Sequence, residues 1–455
     1  MSLEGAIAAH RFGLGARPGE IERASRDPKT WLLSQLNMPA DEPQPIGGAT
    51  LKSGGDLVVD MIAYQRERQM EKRNGTGEDP VKLFFKNRVG LFMQELQARF
   101  AQGFTTEKPF AERLVWFWSN HFVVSAQNPR ATTFVGAFER EAIRPHINGK
   151  FEDMLFAVVQ HPAMLLYLDN AQSVGPDSMG GFLSGRGLNE NLGRELMELY
   201  TLGVDGGYTQ ADVIAMAKLL TGWTIDRRGG GNGGFLYFAA LHEPGDVTLR
   251  GKTYPSSFDG TVAAIRDLAH DPATARHIAR KFATHFIADN PSAESCARLE
   301  KVFASSGGNL RALAEAAIDD PAAWATGPGK MRSPVEYITA SYRLMGWPKG
   351  GDEQKQVEGA IAAARLMGEV PLGAPSPKGW PDTSEAWSGP DAVLNRIEWA
   401  KEVGARLPAG FDPLAIADAG MGPLLGADTR LAMSRAPSAG DAIALLIASP
   451  EFQRR

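Results

Sequence analysis

Between residues 81 and 100 apolar side chains return every three or four positions, placing Val81, Phe84, Phe85, Val89, Leu91, Phe92, Leu96 and Phe100 on one stripe. A period near 3.6 fits a helix with one buried face and cannot lie on the two-residue repeat of a strand. Residues 111–124, which end in LVWFWSNHFVV, are apolar on almost every side, and that demands burial all round. Helical spacing recurs over Ala163–Leu168, Thr261–Ala269, Ala273–Ile287, Leu299–Phe303, Leu310–Ile318 and Pro334–Leu344. Phe134–Ile143 and Phe151–Val159 share it, each stopped near a proline, Pro145 and Pro162. A chain patterned this way reads as mainly α, a large multi-helix globular fold.

One stretch breaks the pattern. After the flexible GGGNGG of 229–234, the run FLYFAALHEPGDVTLRGKTYP alternates short β-like segments around a Pro-Gly turn, so one small β-hairpin is expected near 234–254. Just before it, Thr209 with Asp212 three residues on forms a weakened capping box that opens a helix, with Gly222 as its stop. Residues 346–390 are rich in glycine and proline and enclose one helix, Gln354–Leu366. The chain therefore divides into a helical core domain, 1–345, with a polar cleft, and a C-terminal helical wrapping segment, 346–455. Asp391–Ala405, Ala415–Ala419 and Asp441–Ile447 are its helices. Leu36–Ser53 and Arg73–Pro80 read as mobile surface segments.

Bulk properties exclude several roles. Lysine and arginine number 48 against 53 aspartates and glutamates, a net charge of −5, which leaves no footprint for nucleic acid or an anionic membrane. The single cysteine, Cys296, supports neither an internal disulfide nor a cysteine metal site. No apolar run approaches the ~20 residues of a membrane span. The opening MSLEGAIAAHRFGLG lacks the basic and long apolar regions of a signal peptide, so the expected compartment is the cytoplasm.

Chemistry concentrates in GLNENLGRELMELYTLGV, residues 187–204. On a helix Glu190, Arg194 and Glu198 share a face, Asn191, Glu195 and Glu198 share a neighbouring one, and Leu188, Leu192, Leu196 and Leu199 supply the apolar side. One reading is a solvated face with two Glu–Arg pairs; the other is an acid/base or cation site. Gly193, inside the helix, signals a close backbone approach. The Gly/Ser-rich loop 171–187 ahead of it has the composition of a segment that covers a site.

Around it stand further polar candidates. Asn120 and His121 sit in an apolar helix and need partners, with a structural hydrogen bond as the alternative to catalysis. Asp169 and Asn170 end an apolar run just before the glycine loop and face the same cleft, or simply start a turn. His242 opens the hairpin turn. Trp116, Trp118, Trp223 and Trp380 serve either a sugar or aromatic pocket or the core. No H-E-x-x-H, G-x-S-x-G, P-loop or Rossmann glycine pattern is present.

Taken in order, RFGLGARPGE, WFWSNHFVVS, REAIRPH, HPAMLLYLDNAQS, NENLGRELMELYTLGV, GYTQADV and LTGWT make the chain resemble the bacterial domain-of-unknown-function family numbered 1800, over most of its length. The resemblance implies a mainly helical fold and no settled activity. It also implies a partner, because many members are encoded beside a sulfatase-like protein with a twin-arginine export signal, and hence co-export. The family's polar core corresponds to Asn120, His121, Asp169, Asn170, Asn189, Glu190, Asn191, Arg194, Glu195 and Glu198. Ser119 and Tyr200 depart from it, standing where relatives often carry histidine before the Asn-His pair and histidine or phenylalanine after the E-L-x-E-L run. A metal site that depended on either extra histidine would be weakened here.

The expectation is a hydrolase or group-transfer enzyme for a polar or carbohydrate-like substrate. Glu195 or Glu198 acts as acid/base, Arg194 fixes an anionic group, and His121 is a second proton carrier or ligand. Asn120, Asp169, Asn170, Glu190, Asn191 and His242 bind substrate, and a divalent cation is compatible with the carboxylates. The alternative is a non-catalytic partner of an exported sulfatase-like protein, with the polar cluster as a structural ion-pair network.

Overall fold

A computed structural model describes the chain except residues 38, 49, 75–79, 228–233, 327–328, 348–351 and 408–409, and except the side chains of 68, 71–74 and 80–87. The front of the apolar stripe (Val81, Phe84, Phe85), the Arg73–Pro80 segment and most of the GGGNGG run fall outside this description. The rest of the stripe lies on the helix Pro80–Thr105, where Phe92, Leu96 and Phe100 are buried and Val89 faces solvent.

Pro109–His121 is the helix that needed burial all round. Proline holds its first position, where a missing N–H costs nothing, and Leu114, Val115 and Trp118 are fully enclosed. Against it run Val135–Phe138, continued by a π-helical turn at Glu139–Ile143, and Pro272–Phe286, whose apolar face carries Ile278, Phe282 and Phe286. Pro272–Phe286 packs on Ala293–Ser305, and Pro390–Arg406 packs on Ala439–Ala448. The fold is mainly α. Among the described residues no helix is long and apolar enough to cross a membrane.

Among the described residues the β content is two pairs of short strands rather than one hairpin. Val247–Leu249 pairs antiparallel with Lys252–Tyr254 through a two-residue turn at Arg250 and Gly251, both with positive φ, within the expected span. The unforeseen pair joins Trp223–Ile225 to Phe235–Tyr237. Its cause is Gly222: at φ +77 it turns the chain out of the helix Gln210–Leu220, and its Cα lies so near Phe238 that a Cβ would stand 2.8 Å from that carbonyl oxygen. The expected capping box is formed, with Thr209 and Asp212 each accepting from the other's backbone N–H.

Buried arginines tie the helices together. Arg343, fully buried, donates to Gly15 and Gly103 carbonyls and to both oxygens of Glu20 at 2.7 and 2.9 Å. Arg144 bridges Glu112 and Glu139. Three arginines and an asparagine also fasten the 36–53 segment that reads as mobile: Arg311 and Asn148 donate to Leu36 O, Arg144 to Asp41 O and Arg140 to Lys52 O. Each contact satisfies a loop carbonyl that otherwise has only water, so the segment is anchored to the helices.

Candidate functional site

The helix of 187–204 is two short pieces, Asn191–Glu195 and a π-helical turn Leu196–Tyr200. It crosses the helix Gln210–Leu220 at Gly193, where a Cβ would meet Ala217 N at 2.9 Å and Ala217 Cα at 3.2 Å. Backbone cannot step aside as a side chain can. Gly193→Ala is therefore expected to destabilise the protein by about 1–3 kcal/mol, read as a lower denaturation midpoint; an unchanged midpoint would show that the two helices are free to separate.

Arg194 does not serve the glutamates beside it. Its Nη2 donates to Glu190 Oε2 and Gln210 Oε1, both at 2.9 Å, and Gln210 closes the triangle by donating to Glu190 at 2.8 Å. No salt bridge joins Glu195 or Glu198 to a cation among the described residues. Both side chains are half-buried. Burial, together with the neighbouring charge of Glu198, pushes the Glu195 carboxyl up to about 7, and Arg194 pulls back only weakly. Tyr208 stands against Glu198, and Tyr167 feels the charge of Glu195. Sequence spacing places neither tyrosine in this group.

His121 is 1% exposed. Its Nε2 donates to Tyr200 O at 3.1 Å, and His277 Nε2 donates to Leu199 O at 3.0 Å, so two imidazoles clasp the last carbonyls of the π-helical turn. Burial holds the His121 imidazole well below its usual range and brings His277 down to about 4, which leaves both neutral. Among the described residues His121 Nδ1 has no hydrogen-bond partner.

The other expected residues lie elsewhere. Asn120 donates to Trp380 O at 2.9 Å and accepts from Trp380 N at 2.8 Å, a two-bond clamp on a distant backbone. Asp169, in a left-handed conformation, pairs with Arg130. Asn170 is buried and donates to Leu220 O and Trp223 O. His242 Nδ1 donates to Thr221 O at 2.8 Å. Asn191 is exposed. The glycine loop is packed over its first half: Val174 N bonds Gly187 O, Gly175 N bonds Leu241 O, and a Cβ on Gly175 would stand 2.5 Å from Glu243 Cα. Amides 174–181 are thus expected to exchange more slowly than those of the exposed 182–187. Uniformly fast exchange over both halves would show the whole loop to be open.

A cavity of about 830 Å³ opens between Pro109–His121, Pro272–Phe286 and residues 369–387. Asn120 and His121 are in its wall; Glu195, Glu198, Arg194, Asp169, Asn170 and His242 are not. Trp116, Phe117, Trp380 and Trp387 form apolar wall, whereas Trp118 and Trp223 belong to the core. Its acids are largely answered from behind. Glu336 meets Arg113 at 2.6 Å and Arg455 at 3.1 Å; Asp382 meets His285 at 2.7 Å and Lys330 at 3.5 Å. Glu369 accepts from Val335 N at 2.8 Å, and burial raises it to about 7. Nothing in the local sequence marks this cavity, because its walls come from three distant segments.

Among the described residues no three His, Cys, Asp or Glu side chains stand together as a metal-ligand set. No curated protein and no solved structure matches the chain. The family described as "Protein of unknown function (DUF1800)" matches residues 7–454, and the chain belongs to it.

Proposed function

We propose that the chain is a hydrolase or group-transfer enzyme in which Glu195 and Glu198 are the acid and base, acting on a polar, carbohydrate-like substrate. One observation carries this reading: the cation beside the pair, Arg194, is hydrogen-bonded to Glu190 and Gln210, and among the described residues neither Glu195 nor Glu198 enters a salt bridge. An ion-pair network built for structure would have used Arg194 to neutralise them. Instead burial and the neighbouring Glu198 charge hold Glu195 near 7, so that it keeps its proton about half the time at neutral pH. In hydrolysis Glu198 takes a proton from the attacking water, the water oxygen bonds to the substrate carbon, and Glu195 protonates the leaving oxygen. His121 enters as a positioning group that holds the π-helical turn, in place of the proton carrier expected from the sequence.

The test is a titration of the side-chain carboxyl carbons by NMR. A Glu195 signal titrating near pH 7 and shifting when Glu198 is replaced by glutamine supports the pair. A value near 4.5, unmoved by that replacement, rules it out.

A second reading, the non-catalytic partner, has its own support. On the helix Met179–Ser184, Met179, Phe182 and Leu183 are 70, 87 and 77% exposed, an apolar patch of the kind that partners cover. On this reading an exported sulfatase-like protein seats there, and Phe182→Glu abolishes its co-purification.

A further inference from the structure

The cavity walled by residues 369–387 has a charge pattern that the acid pair does not explain. Lys281 projects from the helix Pro272–Phe286 into it, half-buried, and Arg280 and Lys378 stand at its exposed margin. Among the described residues these three cations enter no ion pair, whereas the wall acids Glu336 and Asp382 are bonded to Arg113, Arg455, Lys330 and the wall residue His285. The other wall acids are Glu369, raised to about 7 by burial, and the exposed Asp205, so Lys281 is left with the more distant Asp382 charge and no bonded counter-ion. A half-buried cation without a bonded counter-ion is costly, and a ligand anion lowers that cost. Trp116 and Trp387 add flat apolar surface of the kind on which aromatic and sugar rings stack.

We propose that this cavity binds a small anionic ligand, a carboxylate, phosphate or sulfate borne on an aromatic or sugar ring, and that Lys281 is the group the anion meets. The site is separate from the Glu195–Glu198 pair, which lies outside its walls. Burial, opposed by Asp382 and aided by Lys378, brings the Lys281 amine down to about 8. Relative to an ordinary lysine it then holds on the order of a hundredfold more free amine near pH 7.5.

Pyridoxal 5′-phosphate is a suitable probe, since it joins an aromatic ring, a phosphate and an aldehyde. Its aldehyde condenses with a free amine, releasing water, and borohydride adds hydride to fix the product as a secondary amine. With the full chain at limiting reagent, peptide mass spectrometry is expected to find the adduct at Lys281, at least tenfold above any other lysine. Inorganic phosphate or sulfate should protect it. Quenching of tryptophan fluorescence by pyridoxine 5′-phosphate, which has no aldehyde to condense, should weaken at least tenfold in Lys281→Met and stay within threefold of wild type in Lys281→Arg. If Lys281→Met does not fold, the wild-type adduct and its protection decide alone. Labelling confined to surface lysines, or labelling of Lys281 that neither anion slows, overturns the proposal.

Discussion

Glu336→Gln is expected to lower stability by about 3–5 kcal/mol, the largest effect of any single substitution considered for this protein. Glu336 Oε1 accepts from Arg113 at 2.6 Å, and Oε2 accepts from Arg455 at 3.1 Å and from Ser333 N at 3.1 Å, where it completes a capping box at the start of Pro334–Leu344. Both guanidiniums are 1% exposed. Burial alone would raise the carboxyl's pKa; the two arginines overcome it and hold Glu336 well below the usual carboxylate range. Glutamine keeps the shape and leaves two buried cations short of one negative charge. Because the folded-state pKa is depressed, Glu336 contributes its stability above the unfolded value near 4.5 and loses it as pH falls below that. The gap between wild type and variant should therefore be full at pH 7 and shrink on acidification. Denaturant unfolding at several pH values measures it. A loss under ~1 kcal/mol at pH 7, the scale of an exposed pair, would mean the arginines find other counter-charges.

Glu195→Gln is expected to do the opposite: to leave the fold intact and remove function. Loss of an acid–base group typically costs about 10²–10⁴ in rate, so the variant should fail to restore whatever phenotype deletion of the protein produces. The sign of the stability effect is fixed by linkage. A carboxyl raised in the folded state to about 7 destabilises the fold progressively as pH climbs from its unfolded value toward 7. Glutamine removes that penalty, so the variant should melt at or above wild type at pH 8 and match it at pH 4. Full complementation by a stable Glu195→Gln would take the pair out of the chemistry. A variant melting well below wild type at pH 8 would instead mark a structural carboxylate.

These outcomes rest on features that differ in how far they can be read from sequence. Thr209 and Asp212 announce the helix Gln210–Leu220, because capping is settled within four residues. Gly193 is legible for a similar reason: a glycine inside a helix points to a neighbour, although only the fold names Ala217. The strand Trp223–Ile225 is not legible, since its partner Phe235–Tyr237 is supplied by tertiary pairing across an intervening segment. Asn120 and His121 are recognisable as polar groups in need of partners, but those partners, Trp380 and Tyr200, lie 260 and 79 residues away. Lys281 is hidden altogether. In RKFATHF it looks like any lysine on an amphipathic helix, and its character comes from residues 369–387 closing over it.

The clamp between Asn120 and Trp380 spans 260 positions of chain. The entropy of closing such a loop grows slowly, by about 0.6 kcal/mol for each doubling of length, yet it must be overcome before the two hydrogen bonds can form. Helices such as Pro109–His121 and Pro272–Phe286 depend on contacts much nearer in sequence for their local geometry. Release of residues 369–387 from Asn120 would open the enclosure around Lys281 and leave the Glu195–Glu198 pair, which lies outside the cavity walls, in place.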